Sequence, residues 1–124
     1  MGLFDRFRAA GNCHVEKVRT EDAATKALRL IEEGNAIEET GQLDEALRCY
    51  EAAISLARDL ARAHMNRGNI LLARGEAEDA LDAYQRALEL EPDYAAAHYS
   101  SGNAQAHLNH HDAACAAYEK AIQL

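Results

Sequence analysis

Four side chains near the end of this 124-residue chain have the chemistry to hold a metal ion. They are His107, His110, His111 and Cys115. His111 and Cys115 are four residues apart, a spacing that places both on one side of a helix. His107 and His111 have the same spacing, but Asn109 lies between them and favours a turn that ends the helix. We therefore expect a polar turn rather than a zinc site, and the sequence indicates no cofactor.

Residue patterns typical of catalysis do not occur in the sequence. No Ser/His/Asp or Cys/His spacing suggests a nucleophile beside its base, and no glycine-rich loop suggests a phosphate site. The chain carries a net charge of −8, to which residues 1–20 contribute +2 and residues 21–124 contribute −10. Nucleic acids are bound through clustered lysine and arginine side chains, so we do not expect an acidic chain to bind them. The composition predicts neither an enzyme nor a nucleic-acid binder.

The sequence repeats itself with a period of 34 residues, and the clearest copy is residues 61–94. Five columns keep one residue type in all three copies. The columns are Gly34, Gly68 and Gly102; Asn35, Asn69 and Asn103; Ala46, Ala80 and Ala114; Tyr50, Tyr84 and Tyr118; and Ala53, Ala87 and Ala121. Helical spacing of the apolar residues, with a single proline, predicts an all-α protein.

A 34-residue period with a small residue, an aromatic residue and a proline in this order resembles the tetratricopeptide repeat (TPR). In the middle copy, the residues at the family's defining positions are His64, Arg67, Gly68, Leu71, Ala80, Tyr84 and Pro92. His64 and His98 stand where the family has tryptophan, and we expect both to be buried against the preceding unit. The third copy is the weakest, with Ser101 and Gln105 at two packing positions.

The resemblance covers residues 27–124 and implies a right-handed superhelical solenoid of three helix-turn-helix repeats. We expect a TPR domain over residues 20–124, with repeats at 27–60, 61–94 and 95–124. The expected helices lie near residues 20–40, 44–57, 61–74, 78–90, 95–108 and 112–123. The residues expected to end the first helix of each repeat, in the left-handed conformation, are Gly41, Gly75 and Asn109.

The start of the first helix has two candidates. Thr20 is followed by acidic residues, which suit the positive end of a helix. Thr25 is the other candidate, because Thr25, Asp59 and Asp93 are N-cap residue types spaced by 34 residues. The second choice predicts that one column caps the first helix of every repeat.

Residues 1–19 form a separate N-terminal segment in this interpretation. Leu3, Phe4 and Phe7 fall at helical spacing among charged residues, which predicts a short amphipathic helix. We expect it to cap the first repeat or to fray, with a contact to another protein as the alternative. It is short and only weakly basic, so attachment to a membrane is not expected.

In a TPR solenoid the first helix of each repeat lines the concave groove, so the resemblance implies a binding surface. The residues it implies are Leu28, Ile31, Glu32, Asn35, Glu38 and Glu39 in the first repeat, Arg62, Met65, Asn66, Asn69, Leu72 and Ala73 in the second, and Ala96, Tyr99, Ser100, Asn103, Ala106 and His107 in the third. The candidates for contact with a peptide are Asn35, Arg62, Met65, Asn66, Asn69, Tyr99 and Asn103. An asparagine offers a donor and an acceptor, so it can pair with any peptide backbone or, alternatively, hold neighbouring helices together. Both interpretations stay open.

Two TPR subtypes give more specific expectations. The carboxylate-clamp subtype holds acidic C-termini with two asparagines and three basic residues. Asn35 and Asn66 match the asparagines, but Ile31, Ala96 and Ser100 stand at the basic positions. Because nothing here would hold a dicarboxylate, we expect a neutral or basic peptide rather than an acidic one.

The second subtype is the asparagine ladder of O-linked N-acetylglucosamine transferases. The segment from Asn66 to Asn69 is similar to its repeats, although Glu32 and Ser100 interrupt the ladder. We therefore expect a non-catalytic module that binds an extended peptide or a partner helix. The alternative is the N-terminal scaffold of a longer, glycosyltransferase-like enzyme that presents its substrate.

The cysteines bear on the cellular compartment. Cys13, Cys49 and Cys115 are odd in number and widely spaced, so a disulfide framework is not indicated. No apolar run reaches the length of a membrane span. These features favour a cytoplasmic protein.

The C-terminal edge is expected to need a partner. Ile122 and Leu124 are the counterparts of Leu88 and Leu90, which we expect to pack on the third repeat. The chain stops four residues short of a full unit. The expected edge residues are Ala114, Ala121, Ile122 and Leu124. We expect this edge to pair with a second copy, or the chain to be part of a longer array.

Overall fold

The computed structural model describes residues 21–124, so the expectations for Leu3, Phe4, Phe7 and Thr20 lie outside the described residues. The described part folds into six helices and contains no strand. The helices are α1 (Ala23–Glu39), α2 (Leu43–Leu56), α3 (Ala61–Ala73), α4 (Ala77–Leu90), α5 (Ala95–His107) and α6 (His111–Gln123). Helices pack in the pairs α1/α2, α3/α4 and α5/α6, and each pair stacks on the next through α2/α3 and α4/α5. The all-α solenoid of three repeats is confirmed.

The first helix begins at a different residue from those expected. Asp22 is the N-cap, and its carboxylate accepts a hydrogen bond of 2.7 Å from the backbone N–H of Thr25. This bond lowers the pKa of Asp22, because it favours the charged carboxylate. Thr25 lies inside α1, so its assignment as an N-cap is wrong.

The shared N-cap column is also wrong in the later repeats. α3 and α5 begin after Leu60 and Tyr94, neither of which makes a side-chain capping bond. Asp59 and Asp93 each lie one residue earlier. Leu60 and Tyr94 instead pack against buried clusters, so apolar contact rather than capping fixes where these helices start.

The turns inside the repeats follow the expected column. Gly41 has φ 86°, Gly75 has φ 83° and Asn109 has φ 61°. These angles lie in the left-handed region, which glycine and asparagine adopt at low cost. The prediction of where the first helix of each repeat ends is confirmed.

One contact recurs inside every repeat. A tyrosine ring of the second helix lies against a glycine of the first, so closely that a Cβ atom on the glycine would stand 2.6 Å from the ring carbon Cε1. The pairs are Gly34 with Tyr50, Gly68 with Tyr84, and Gly102 with Tyr118. Tyr50 and Tyr84 are fully buried, whereas Tyr118 is half-buried because no described helix covers α6.

The histidines at the tryptophan position bond to the preceding turn. His64 is buried, and its Nε2 atom lies 3.0 Å from the carbonyl oxygen of Arg58. His98 is half-buried, with Nε2 2.8 Å from the carbonyl oxygen of Pro92. Burial is therefore confirmed for His64 and is only partial for His98.

The C-terminal edge differs in part from the expectation. Leu88 packs against a cluster that includes Ala97 of α5, as expected. Leu90 is 37 % exposed because it is the last residue of α4 and lies beyond this cluster. Ala114 is buried within the third repeat and is not part of the edge, whereas Ile122 is 84 % exposed.

None of the helices between residues 21 and 124 combines the length and the apolar character needed to cross a membrane.

We predict that Gly68→Ala destabilises the protein by about 1–3 kcal/mol, because the new methyl group would overlap the buried ring of Tyr84. In an ordinary helix interior the same change stabilises by about 1 kcal/mol, so the sign of the effect is the test. Gly102→Ala is the matched control. Its cost is smaller because Tyr118 is half-buried and can move away. Denaturant unfolding of both variants measures the difference, and a more stable Gly68→Ala protein would contradict the packing.

Candidate functional site

The three histidines and the cysteine near the end of the chain do not form a cluster. His107 ends α5, whereas His111 begins α6. His110 lies in the turn between them, with Nδ1 2.9 Å from Oε1 of Gln105. Among residues 21–124, no group of three or more histidine, cysteine or acidic side chains is placed to hold a metal ion.

A row of asparagines runs across α1, α3 and α5. We call the surface formed by Asn35, Asn66, Asn69 and Asn103 the asparagine face. Three of these residues directly follow the glycine that contacts the tyrosine. In each repeat the hydroxyl of that tyrosine donates a hydrogen bond of 2.7 Å to the asparagine Oδ1 atom. The contact that packs the helix pair thus also fixes the rotation of the amide.

Asn66 has a different role. It is 8 % exposed, and its Nδ2 atom donates to Oδ1 of Asn35 at 3.2 Å. This bond joins α3 to α1, so it ties the second repeat to the first. The interpretation in which the asparagines hold helices together thus has direct support. Binding of a ligand is compatible with it only where amide groups remain free.

Asn69 and Asn103 retain free amide groups. Both are half-buried, and the tyrosine bond is the only hydrogen bond that either side chain makes within residues 21–124. Because Oδ1 accepts that bond, the two N–H groups of each amide are left unpaired in the described part of the chain. A ligand at this face would therefore meet hydrogen-bond donors.

In the first repeat the tyrosine hydroxyl has a second acceptor. Oε1 of Glu38 lies 2.8 Å from the hydroxyl oxygen of Tyr50. The hydroxyl has one proton, so Glu38 and Asn35 share it as acceptors. The pKa of Tyr50 is raised above its ordinary value. Burial is the larger cause, and the Glu38 carboxylate is the second. Burial also raises the pKa of Tyr84, to about 12. Both tyrosines therefore donate as neutral phenols at physiological pH.

The other candidate residues lie on the same first helices of the repeats. Arg62 of α3 forms an ion pair of 3.0 Å with Glu32 of α1. Met65 is half-buried and packs against the clusters that hold Tyr84 and Ala97. Tyr99 is 56 % exposed. Ile31, expected to line the groove, is fully buried in the core of the first repeat, so that expectation is wrong.

The first helices of the second and third repeats share one side of the molecule. Leu72 of α3 and Asn103, Ala106 and His107 of α5 line a single open cavity of about 330 Å³. The sequence had placed these four residues on the implied groove. The structure brings them together next to the asparagine face.

Two features of the site were not foreseen from the sequence. The sequence did contain a signal for the tyrosine–asparagine bond, because the tyrosine follows the asparagine by 15 residues in every repeat. The sequence contained no signal for the ion pairs between repeats, such as that of Arg67 with Glu51 at 3.4 Å. They depend on how two helices cross, which a residue spacing does not report.

Comparison with known families and structures gives the following matches. A family model described as TPR repeat matches residues 34–73 and 68–109, and one described as tetratricopeptide repeat matches residues 95–124. A comparison with curated proteins gives no significant match.

Several solved structures have the same fold. The first TPR of Spaghetti (RPAP3), bound to the HSP90 peptide SRMEEVD, is 27 % identical, with 82 % of each chain covered and a TM-score of 0.80. The first TPR domain of human RPAP3 is 26 % identical, with 79 % of this chain and 77 % of that chain covered and a TM-score of 0.77. The Arabidopsis OM64 TPR domain is 24 % identical, with 82 % of this chain and 84 % of that chain covered and a TM-score of 0.80. Because its identity is only 24 %, the likeness to the OM64 domain concerns the fold alone.

We predict a loss of stability at high pH that depends on Tyr84. Its pKa is raised from 10 to about 12 in the folded protein, so the stabilisation is complete below pH 10 and is lost as the pH rises through about 12. A shift of this size corresponds to about 2–3 kcal/mol. Denaturant unfolding at about pH 8 and about pH 12 should show a larger loss for the unmodified protein than for Tyr84→Phe. Equal losses would show that the Tyr84 hydroxyl is not buried as described.

Proposed function

Because this chain belongs to the tetratricopeptide repeat family, we propose that it is a non-catalytic interaction module that binds an extended peptide across the asparagine face. The observation that carries the proposal is the orientation of Asn69 and Asn103. Their Oδ1 atoms accept bonds from Tyr84 and Tyr118, which leaves N–H donors for a ligand. An extended peptide offers backbone carbonyl groups as acceptors whatever its side chains are. The relative that binds the HSP90 peptide SRMEEVD supports a peptide as the ligand class.

The ligand we propose is neutral or basic, unlike the acidic SRMEEVD. The positions that correspond to clamp cations hold Ile31, Ala96 and Ser100, and Ile31 is buried. Arg62 is the cation among the candidate contact residues, and it already pairs with Glu32 at 3.0 Å. A dicarboxylate would therefore lose its hydration without gaining an unpaired cation. The charge of −10 on residues 21–124 also favours a basic peptide over an acidic one.

The alternative of a scaffold within a glycosyltransferase-like enzyme gains no support from the similar structures. A reducing compartment such as the cytoplasm remains part of the proposal, because Cys49 and Cys115 are free thiols.

The first test selects a ligand without assuming its charge. A displayed library of random 12-residue peptides is screened against the full chain, and the recovered peptides are sequenced. We expect neutral or basic peptides. Recovery of sequences ending in acidic residues would contradict the proposed charge preference, and recovery of none would contradict peptide binding.

The second test separates binding from packing at one asparagine. Asn69→Ala and Tyr84→Phe each remove the same internal hydrogen bond, so both should lower stability by about 1 kcal/mol. Only Asn69→Ala removes the N–H donors of the face. With a selected peptide, fluorescence anisotropy should show that Asn69→Ala weakens binding about fivefold more than Tyr84→Phe does.

The comparison of Asn69→Ala with Tyr84→Phe can also contradict the proposed contact between Asn69 and the peptide. If both variants bind the peptide equally well while both lose stability, Asn69 holds the helices together and does not contact the ligand. Asn103→Ala with Tyr118→Phe repeats the comparison in the third repeat, where the same bond occurs at 2.7 Å.

A further inference from the structure

The outer surface of the third repeat exposes residues whose counterparts in the earlier repeats are buried or half-buried. Ile31, Met65 and Tyr99 occupy one column, and they are fully buried, half-buried and 56 % exposed respectively. Leu88 is half-buried, whereas Ile122, 34 residues later, is 84 % exposed. Each earlier repeat is covered by the first helix of the next one. Within the described residues nothing covers the third.

We call this surface the open edge. It is formed by Tyr99, Tyr118, Ala121 and Ile122, which line an apolar cleft of about 370 Å³. The rings of Tyr99 and Tyr118 lie 5.6 Å apart and are tilted by 47°. A cleft of aromatic and aliphatic side chains has the character of a binding surface for an apolar helix face.

The contact between α3 and the first repeat shows what such a surface accepts. Ala63 and Ile70 of α3 are both fully buried, in one cluster with Ile31 and Tyr50 of the first repeat. They are seven residues apart, so they lie on one side of α3. A helix with a small residue and a β-branched residue at this spacing therefore fits against a repeat of this protein.

Two ion pairs also join α3 and its C-cap residue to the first repeat. Arg67 pairs with Glu51 at 3.4 Å, and Arg74 pairs with Asp44 at 3.6 Å. Both acidic residues belong to α2, and the two arginines are again seven residues apart. These pairs are exposed, so each contributes little affinity, but together they favour one register.

The open edge carries the same two acidic positions. Glu119 and Asp112 of α6 lie 68 residues after Glu51 and Asp44, and both are exposed. No ion pair joins either of them to another residue of the described part. The second repeat is different, because Gln85 replaces the glutamate there. The open edge therefore resembles the surface that takes a basic helix.

We propose that the open edge binds a basic amphipathic helix of another protein. The helix presents small or β-branched residues at positions i and i+7 and basic residues at i+4 and i+11, as α3 does with Ala63, Ile70, Arg67 and Arg74. The charge of −10 on residues 21–124 complements such a partner. The open edge adjoins the asparagine face, because the hydroxyl of Tyr118 bonds to Asn103. The interaction does not rest on the function proposed for that face.

A second copy of this chain is a poorer occupant. In a head-to-tail stack, α1 would take the place of α3, with Glu33 where Arg67 stands and Thr40 where Arg74 stands. Arg29 would replace the buried Ala63. In a two-fold pairing, Glu119 and Asp112 would meet an edge of the same charge. Both arrangements place unfavourable charges at the positions that α3 uses for attraction.

The probe for this proposal is a synthetic peptide of residues 59–76, which contains α3. A lactam between positions 65 and 69 keeps it helical, and these positions lie on the side of α3 that packs with α4. The peptide is added to the full chain labelled with ¹⁵N. We expect chemical-shift changes at Tyr118, Ala121 and Ile122. The Ile122→Glu variant, altered at an 84 % exposed residue, should show none of these changes.

Charge exchange tests the identity of the partner. A peptide with Arg67→Glu and Arg74→Glu should bind the unmodified protein about five- to twentyfold more weakly, from two exposed pairs. The protein variant Asp112→Lys/Glu119→Lys should reverse this preference. The proposal is overturned by shifts elsewhere than the open edge, by equal affinity for the two peptides, or by edge signals that depend on protein concentration without peptide. The last result would identify a second copy as the occupant.

Discussion

The close contact between a tyrosine ring and a glycine backbone is the constraint on which each repeat depends. A Cβ atom on Gly68 would stand 2.6 Å from the ring of Tyr84, so the two helices of the pair can approach only because that atom is absent. Asn69 follows the glycine, which brings its amide within 2.7 Å of the tyrosine hydroxyl. The residues that pack a helix pair therefore also orient the amide at the surface. Helix packing and amide orientation share one set of side chains, so a substitution in this set affects both.

Much of the fold could be predicted because its signals are local. The left-handed turns at Gly41, Gly75 and Asn109 depend on residue type, and the glycine and tyrosine columns report packing directly. The N-caps could not be predicted from residue type, because Asp59 and Asp93 fit a cap, yet the helices start after apolar residues that pack into clusters. Burial at the edges of the repeats, as for Leu90, depends on how far a neighbouring helix extends.

The positions of the asparagines on the first helices could be predicted from the sequence, but the hydrogen-bond partners of their amides could not. The asparagine column is visible in the sequence, whereas the partner of each amide is set by the distance between two helices. The structure shows that Asn66 bonds to Asn35 and that Asn69 bonds to Tyr84, so both have a packing role. Ion pairs between repeats, such as Arg74 with Asp44, join residues far apart in sequence and follow from the stacking. The pair of Arg67 with Glu51 has no counterpart one repeat later, because Ser101 and Gln85 stand at those two positions.

We propose that the tyrosine hydroxyls hold the asparagine amides so that their N–H groups meet a peptide. The most direct measurement is a ¹H–¹⁵N spectrum of the side-chain amide groups of the asparagines, recorded with and without a peptide selected for binding. If this proposal is correct, the Nδ2 protons of Asn69 and Asn103 shift downfield on binding, because they gain carbonyl acceptors, while the tyrosine bonds remain. Saturating peptide with both amide signals unchanged would contradict it, because the ligand would then lie on another surface.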